Sequence, residues 1–350
     1  MASPSLFSKE RRYLFASVLI GKLLNRGKKP NNIVPRSILV VKLDEIGDMA
    51  IAMCVFAMLK RDYPNARLTV LCQPFVKPLI ASDPFIDEIF VDINQWNHTY
   101  DVVIEFRGTM ATVRKALIFR PRLRLDRATI RLKNKLGNGQ LHEADTNLEV
   151  LTPLLRTTTP IVSKITIDPA IRKEVNTFLS ANNLERYAVI VPGARRALRR
   201  WPYERFAETI RWVYDTYGLK TVCAGGAEDQ LINEAIVASS NGHAMCAPYN
   251  YSLQHFTALC EGASLFVGND SGPLHIANSC GIPVVGIYGP GVPHVQYPKG
   301  MRSTYIHHVL DCNPCDQIHC IRPELPCTLL VTTDEVREAI KRVINVHQLE

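Results

Sequence analysis

The stretch FVGNDSGPLHIANSCGIPVVGIYGP, residues 266–290, decides the fold. A short apolar run, a turn, a helix with helical apolar spacing and a second apolar run follow in close order. Runs of this length rich in β-branched residues suit parallel strands buried on both faces. Asp270 and Ser271 fall at the helix start, where free N–H groups and the helix dipole favour an anion. His275, four residues after Ser271, shares its face of the helix. A lone histidine on a helix is ordinarily structural; beside a cap, a glycine and a proline at a strand end it reads as part of a site.

The same alternation extends outward in both directions. YAVIVPG (187–193), KTVCAGG (220–226) and ASLFVGN (263–269) read as strands between helices at 169–183, 202–218 and 227–240. The amphipathic run TDEVREAIKRVINV closes the chain. Upstream, SILVVKL (37–43), ARLTVLC (66–72), DEIFVDI (87–93) and YDVVIEF (100–106) repeat the strand signal. Such βαβ alternation predicts an α/β protein with two doubly wound parallel sheets. The expected organisation is a basic leader at 1–36, an acceptor-side Rossmann-like domain at 37–156, a polar connection at 157–168 and a donor-binding domain at 169–350. The last helix is expected to be able to pack back on the first domain. Ligands of tandem folds of this kind bind in the cleft outside the carboxyl ends of the strands.

Charge is unevenly placed. Residues 1–36 carry eight lysines and arginines against one glutamate, whereas the remainder is nearly balanced. A basic leader on a neutral body argues against nucleic acid as partner. The leader's apolar part is too short to span a bilayer, which takes about 20 residues, and no small-x-small cleavage site follows it. It reads as a flexible basic tail, with peripheral attraction to an anionic inner membrane as the other reading. Ten cysteines without an export signal imply reduced thiols and a cytoplasmic protein. Four of them, Cys312, Cys315, Cys320 and Cys327, contain one CxxC but not the paired spacing of a closed zinc site, so they read as packed or reactive thiols without metal, with a zinc site as the lesser reading.

Three further segments sit where a strand meets a loop. In VVKLDEIGDMAI, Asp48 opens a helix, either as its N-cap or as a carboxylate placed to take a proton. VPGARRALRRWPYERF combines a glycine loop, a helix start and four arginines, a set that suits a diphosphate or is a plain solvated basic loop; Arg199 and Arg200 are its best candidates. In CAGGAEDQ the paired glycines let backbone approach a ligand, and Glu228 either offers an acceptor to a ribose or base or is a plain helix-start glutamate. No GxGxxG is present, which disfavours a dinucleotide oxidoreductase. No Asp-x-Asp is present either, so a leaving group's charge falls to arginines and helix N-termini. The basic run from Arg107 to Lys135, led by Arg107, Arg114 and Lys115, suits an anionic acceptor or is a plain solvated face.

The fragments LDEIGDMAIAMCVFAMLKRDYPNARLTVL, PGARRALRRWPYERFAE, AGGAED and VGNDSGPLHIANSCGIPVVGIYGP, in that order, resemble glycosyltransferase family 9, the ADP-heptose:lipopolysaccharide heptosyltransferases. The resemblance runs from about Ser37 to Val346. It implies a GT-B fold and an inverting, metal-independent transfer from ADP-heptose to a lipopolysaccharide-core acceptor by a monomeric enzyme without a cofactor. By motif, Asp48 would be the general base and Arg199 would meet the departing diphosphate. Gly193, Ala194 and Arg200 would lie along the phosphates and Glu228 near the nucleoside. Asp270, Ser271, Gly272 and His275 would hold sugar and diphosphate. Arg199 stands where the family often has lysine, and residues 1–36 have no counterpart in its core pattern. Another nucleotide-sugar donor serving capsule or O-antigen, a non-catalytic sugar-nucleotide binder, and an epimerase are the alternative readings.

Overall fold

The computed structural model describes residues 9–136, 141–161, 164–313 and 315–348. Residues 1–8 of the leader, and Val162 and Ser163 of the connection, lie outside the described residues, as do the side chains of Lys9, Arg11, Lys133 and Lys135. The chain forms two compact units, Met1–Lys164 and Ile165–Glu350.

In the first unit the elements run α1 (Lys9–Leu24), β1 (Ser37–Lys42), α2 (Ile46–Ala52), α3 (Cys54–Asp62), β2 (Arg67–Cys72), α4 (Lys77–Ile80), β3 (Glu88–Phe90), β4 (Val102–Glu105), α5 (Met110–Phe119), β5 (Leu123–Asp126), α6 (Ala128–Leu136) and α7 (Glu143–Leu151). All strands are parallel, in the order β3-β2-β1-β4-β5. Strand order reverses between β1 and β4, and the carboxyl end of such a switch point is where doubly wound sheets bind ligands. Leu39, Val41, Leu71, Val103, Trp96 and Phe90 form a core cluster on one side of the sheet.

The leader departs from expectation. Residues 9–24 are not a flexible tail but a helix packed on α5, α6 and β5. Leu14, Ser17 and Gly21 face inward, and Arg124, fully buried, ties them to the sheet. Its guanidinium donates to the Ser17 carbonyl (3.0 Å) and hydroxyl (2.8 Å) while pairing with Glu105 (3.0 Å) and Asp126 (2.5 Å). Asn25 bonds both the amide and the carbonyl of Arg124. Gly21 eases this approach, since a Cβ there would lie a tight 3.0 Å from an Asp126 oxygen.

In the second unit the order is α8 (Pro169–Ala181), β6 (Tyr187–Val191), α9 (Tyr203–Tyr217), β7 (Lys220–Cys223), α10 (Gln230–Ala238), β8 (Ala244–Cys246), α11 (Leu253–Glu261), β9 (Leu265–Asn269), α12 (Gly272–Ser279), β10 (Val284–Tyr288), α13 (Pro293–Gln296), β11 (Ser303–His307), α14 (Cys327–Leu330) and α15 (Thr333–Gln348). Its parallel sheet is ordered β11-β10-β9-β6-β7-β8, with the switch between β6 and β9. Alternate residues of β6 feed opposite cores. Ala188 and Ile190 pack with Trp201, Phe206, Ile210 and Ile340. Val189 and Val191 pack with Leu259, Phe266 and Leu274. This two-sided burial explains why the strands read as continuous apolar runs rather than alternating ones. The closing helix, α15, packs on α9, β10 and β11 of its own unit.

Candidate active site

Each unit places a set of polar groups at its switch point. In the first, β1 ends at Lys42 and the chain turns through Leu43, Asp44 and Glu45 into α2. Glu45 is the N-cap, so Asp48 does not open the helix but stands at its third position. Its carboxylate accepts the Glu45 N–H at 3.3 Å. Burial, the largest influence, raises the Asp48 pKa to about 6; Lys42 pulls it down, Asp44 and Glu143 push it up, and the Glu45 N–H pulls it down. A carboxylate with a pKa close to neutrality is suited to accept a proton in a reaction near pH 7.

The surrounding charges are fixed by partners distant in sequence. Lys42, 1% exposed, reaches Asp44 at 3.1 Å and Glu143 at 3.3 Å. Glu143, the first residue of α7, receives two bonds from Arg127 at 2.6 and 2.5 Å. Burial raises the Glu143 carboxyl, but Lys42 and Arg127 outweigh it and hold the group below its ordinary pKa. Arg107, just past β4, donates to the Leu43 carbonyl at 3.2 Å and lies 3.6 Å from Asp44. Of the three suggested acceptor contacts, Arg107 therefore joins the Asp48 loop. Arg114 is exposed on α5, and Lys115 is engaged by the Trp96 carbonyl (2.9 Å) and the Phe119 ring. Lys42, Glu143 and Arg127 escape a sequence reading; the one visible signal is a lysine ending an otherwise apolar strand.

In the second unit, Pro192–Ala194 follow β6, and Arg199 closes a short turn at Ala197–Arg199. Arg199 pairs with the Asp270 carboxylate (3.0 Å), donates to the Asp270 carbonyl (3.1 Å) and gives its Nε–H to Gln317 (2.7 Å). Arg200 donates to the Ala194 carbonyl at 2.8 Å. Asn269 clamps the same loop, accepting from Trp201 N–H (3.1 Å) and donating to the Pro192 carbonyl (2.7 Å). Asp270 is 3% exposed; burial raises its pKa, with Arg199 opposing. Gly291 permits this crowding, because a Cβ there would fall 2.2 Å from the Asp270 carboxylate.

Ser271 is the N-cap of α12, yet its buried hydroxyl has no hydrogen-bond partner among the described residues. A buried hydroxyl left unpaired costs about 1–3 kcal/mol, so this one is suited to a ligand. Gly272 begins the helix and His275 is buried one turn in. Glu228 is exposed and folds over Gly226. The neighbouring Asp229 is the buried carboxylate: it accepts the Gly226 N–H at 3.2 Å, and a Cβ at Gly193 would come within 2.3 Å of it. Nothing in the local sequence of the AED triplet tells the exposed acid, Glu228, from the buried one, Asp229.

The cysteine loop bears on Arg199 through Gln317, whose backbone is left-handed (φ 61°) and whose N–H reaches Cys315 Sγ at 3.3 Å. Arg322 N–H similarly reaches Cys320 Sγ, and Cys327 is buried at the start of α14. Among the described residues, no group of three or more His, Cys, Asp or Glu side chains is placed to hold a metal ion.

Two parallel-sheet α/β units, each with polar groups gathered at its switch point, give the chain a GT-B fold. The chain belongs to glycosyltransferase family 9 (heptosyltransferase), whose model matches residues 99–325, and it is a glycosyltransferase. It is 24% identical to lipopolysaccharide heptosyltransferase 3 of Escherichia coli over 276 residues, covering 69% of this chain and 80% of that one. Among solved structures it resembles the glycosyl transferase family 9 protein from Veillonella parvula DSM 2008, with a TM-score of 0.75, 21% identity, and 89% and 97% of the two chains covered. It also resembles the E. coli ADP-heptose lps heptosyltransferase II, with a TM-score of 0.68, 18% identity, and coverage of 89% and 99%.

Proposed function

We propose that this glycosyltransferase moves a heptose from an ADP-linked donor onto a hydroxyl of a lipopolysaccharide-core-type acceptor, by one inverting displacement that needs no metal. The observation that carries the reading is the Asp48 carboxylate, raised to about pH 6 at the switch point of the first sheet. Asp48 takes the proton of the acceptor hydroxyl as its oxygen bonds to the anomeric carbon. The anomeric carbon–oxygen bond to the diphosphate breaks in the same step, its electron pair leaving with ADP, and attack opposite the leaving group inverts the centre. Arg199, held by Asp270 and Gln317, and the N-terminus of α12 with Ser271 and Gly272 meet the charge that develops on the diphosphate. Gly193 and Ala194 lie along the phosphates and Glu228, with Asp229 beneath, near the nucleoside. The heptose and ADP assignments are supported by the relatives' names. The metal-free assignment is supported by the missing Asp-x-Asp pair.

A donor panel of ADP-heptose, GDP- and UDP-sugars, read as nucleotide diphosphate release with a lipid-core acceptor, tests the reading. ADP release that depends on acceptor and survives EDTA is expected. Preference for a GDP- or UDP-sugar would reject the donor, and loss of activity in EDTA restored by a divalent ion would reject the metal-free step.

A further inference from the structure

The docking of α1 on the first unit uses one face of the helix and leaves the other bare. On that outer face Phe15, Leu19 and Leu23 follow at four-residue spacing and are 56, 70 and 64% exposed. Single exposed apolar residues are commonplace, but three large ones in one stripe on one helix are not. The stripe is set among bases: Arg12 and Lys22 on α1 are exposed, as are Arg26, Lys28 and Lys29 just beyond it. From Arg11 to Leu43 the sequence contains no acidic residue. Lys28 donates to the Pro121 carbonyl (3.3 Å), and its pKa is lowered by burial and then by the positive charge of Arg122. The basic zone therefore continues onto the start of β5.

We propose that this face is a membrane-docking surface that takes the anionic headgroup layer of a phospholipid bilayer. A helix lying in the interface presents apolar side chains to the acyl boundary and bases to the phosphates, which is the composition of this stripe and its flanks. The occupant follows from charge. A second copy of the chain would bring the same bases face to face, whereas anionic lipid neutralises them, each base adding roughly fivefold to the partition. Among the described residues no helix is long and apolar enough to cross a membrane, so attachment is peripheral. Inward anchoring through Arg124, Ser17 and Asn25 holds the stripe outward before any lipid is met, so little ordering is needed on binding.

The surface is independent of the transfer chemistry and is read without donor or acceptor. Full-length protein is mixed with vesicles of phosphatidylcholine alone or with about one third phosphatidylglycerol, and floated on a density gradient at low and high salt. Binding to the anionic vesicles, weakened by salt, is expected. The triple variant Phe15→Ser, Leu19→Ser, Leu23→Ser should lower the partition at least tenfold with an unchanged melting temperature. Lys22→Glu with Arg26→Glu should abolish the preference for anionic lipid. No anionic preference, or a triple variant that binds as the parent does, overturns the proposal. So does a lipid-free dimer that the triple variant dissolves, which would give the stripe to a second copy.

Discussion

Replacing Asp48 by asparagine should stabilise the protein while disabling it. The folded carboxyl has a pKa of about 6 against an ordinary aspartate value of 3.8, so the native state holds its proton more tightly than the unfolded chain does. A difference of about two pH units corresponds to roughly 3 kcal/mol. The sign follows from linkage: the penalty is fully present above pH 6, declines as the pH falls through 6, and is gone below the unfolded value near 4. Asparagine keeps an oxygen for the Glu45 N–H and removes the charge. At about pH 7.5 the variant should gain about 1–3 kcal/mol in urea denaturation, and the gain should vanish by about pH 4. Loss of the proton acceptor should lower kcat by roughly 10²–10⁴-fold. For the parent enzyme, kcat/KM should fall on an acid limb near pH 6. A variant no more stable than its parent at neutral pH, with turnover intact, would refute both the burial argument and the role of Asp48.

Gly193→Ala should cost about 1–3 kcal/mol by overpacking, because its Cβ meets the Asp229 carboxylate at 2.3 Å; denaturation and donor titration should both register it. Arg124→Met strands Glu105 and Asp126 without their cation, a loss of about 3–5 kcal/mol. It should also release α1, seen as faster proteolysis within residues 9–24. Gln317→Ala removes the partner of Arg199 Nε and should lower kcat several-fold with unchanged melting, whereas a purely structural glutamine would leave kcat alone.

The fold was legible because buried parallel strands announce themselves as short apolar runs separated by helical periods. The strand ends drew attention to Asp48, Arg199 and Asp270, but Asp48 read equally as a plain N-cap, and only the family resemblance gave the three their roles. What stayed hidden depends on pairings remote in sequence. Lys42 meets Glu143 across 101 positions and Arg124 meets Ser17 across 107, distances over which periodicity carries no information. The leader misled for a second reason. Its apolar residues serve two faces, Leu14 inward and Phe15, Leu19 and Leu23 outward, so no single amphipathic stripe emerged. Asp229 was overlooked because nothing local separates it from Glu228; only the chain folding Gly193 and Gly225 against its carboxylate does.

The most direct test of the central claim pairs donor binding with turnover in Asp48→Ala. With ADP-heptose and a lipid-core acceptor, the parent should release ADP and extend the acceptor by one inverted heptose. The variant should bind donor with unchanged affinity and release none. ADP release by the variant at the parental rate would contradict the account.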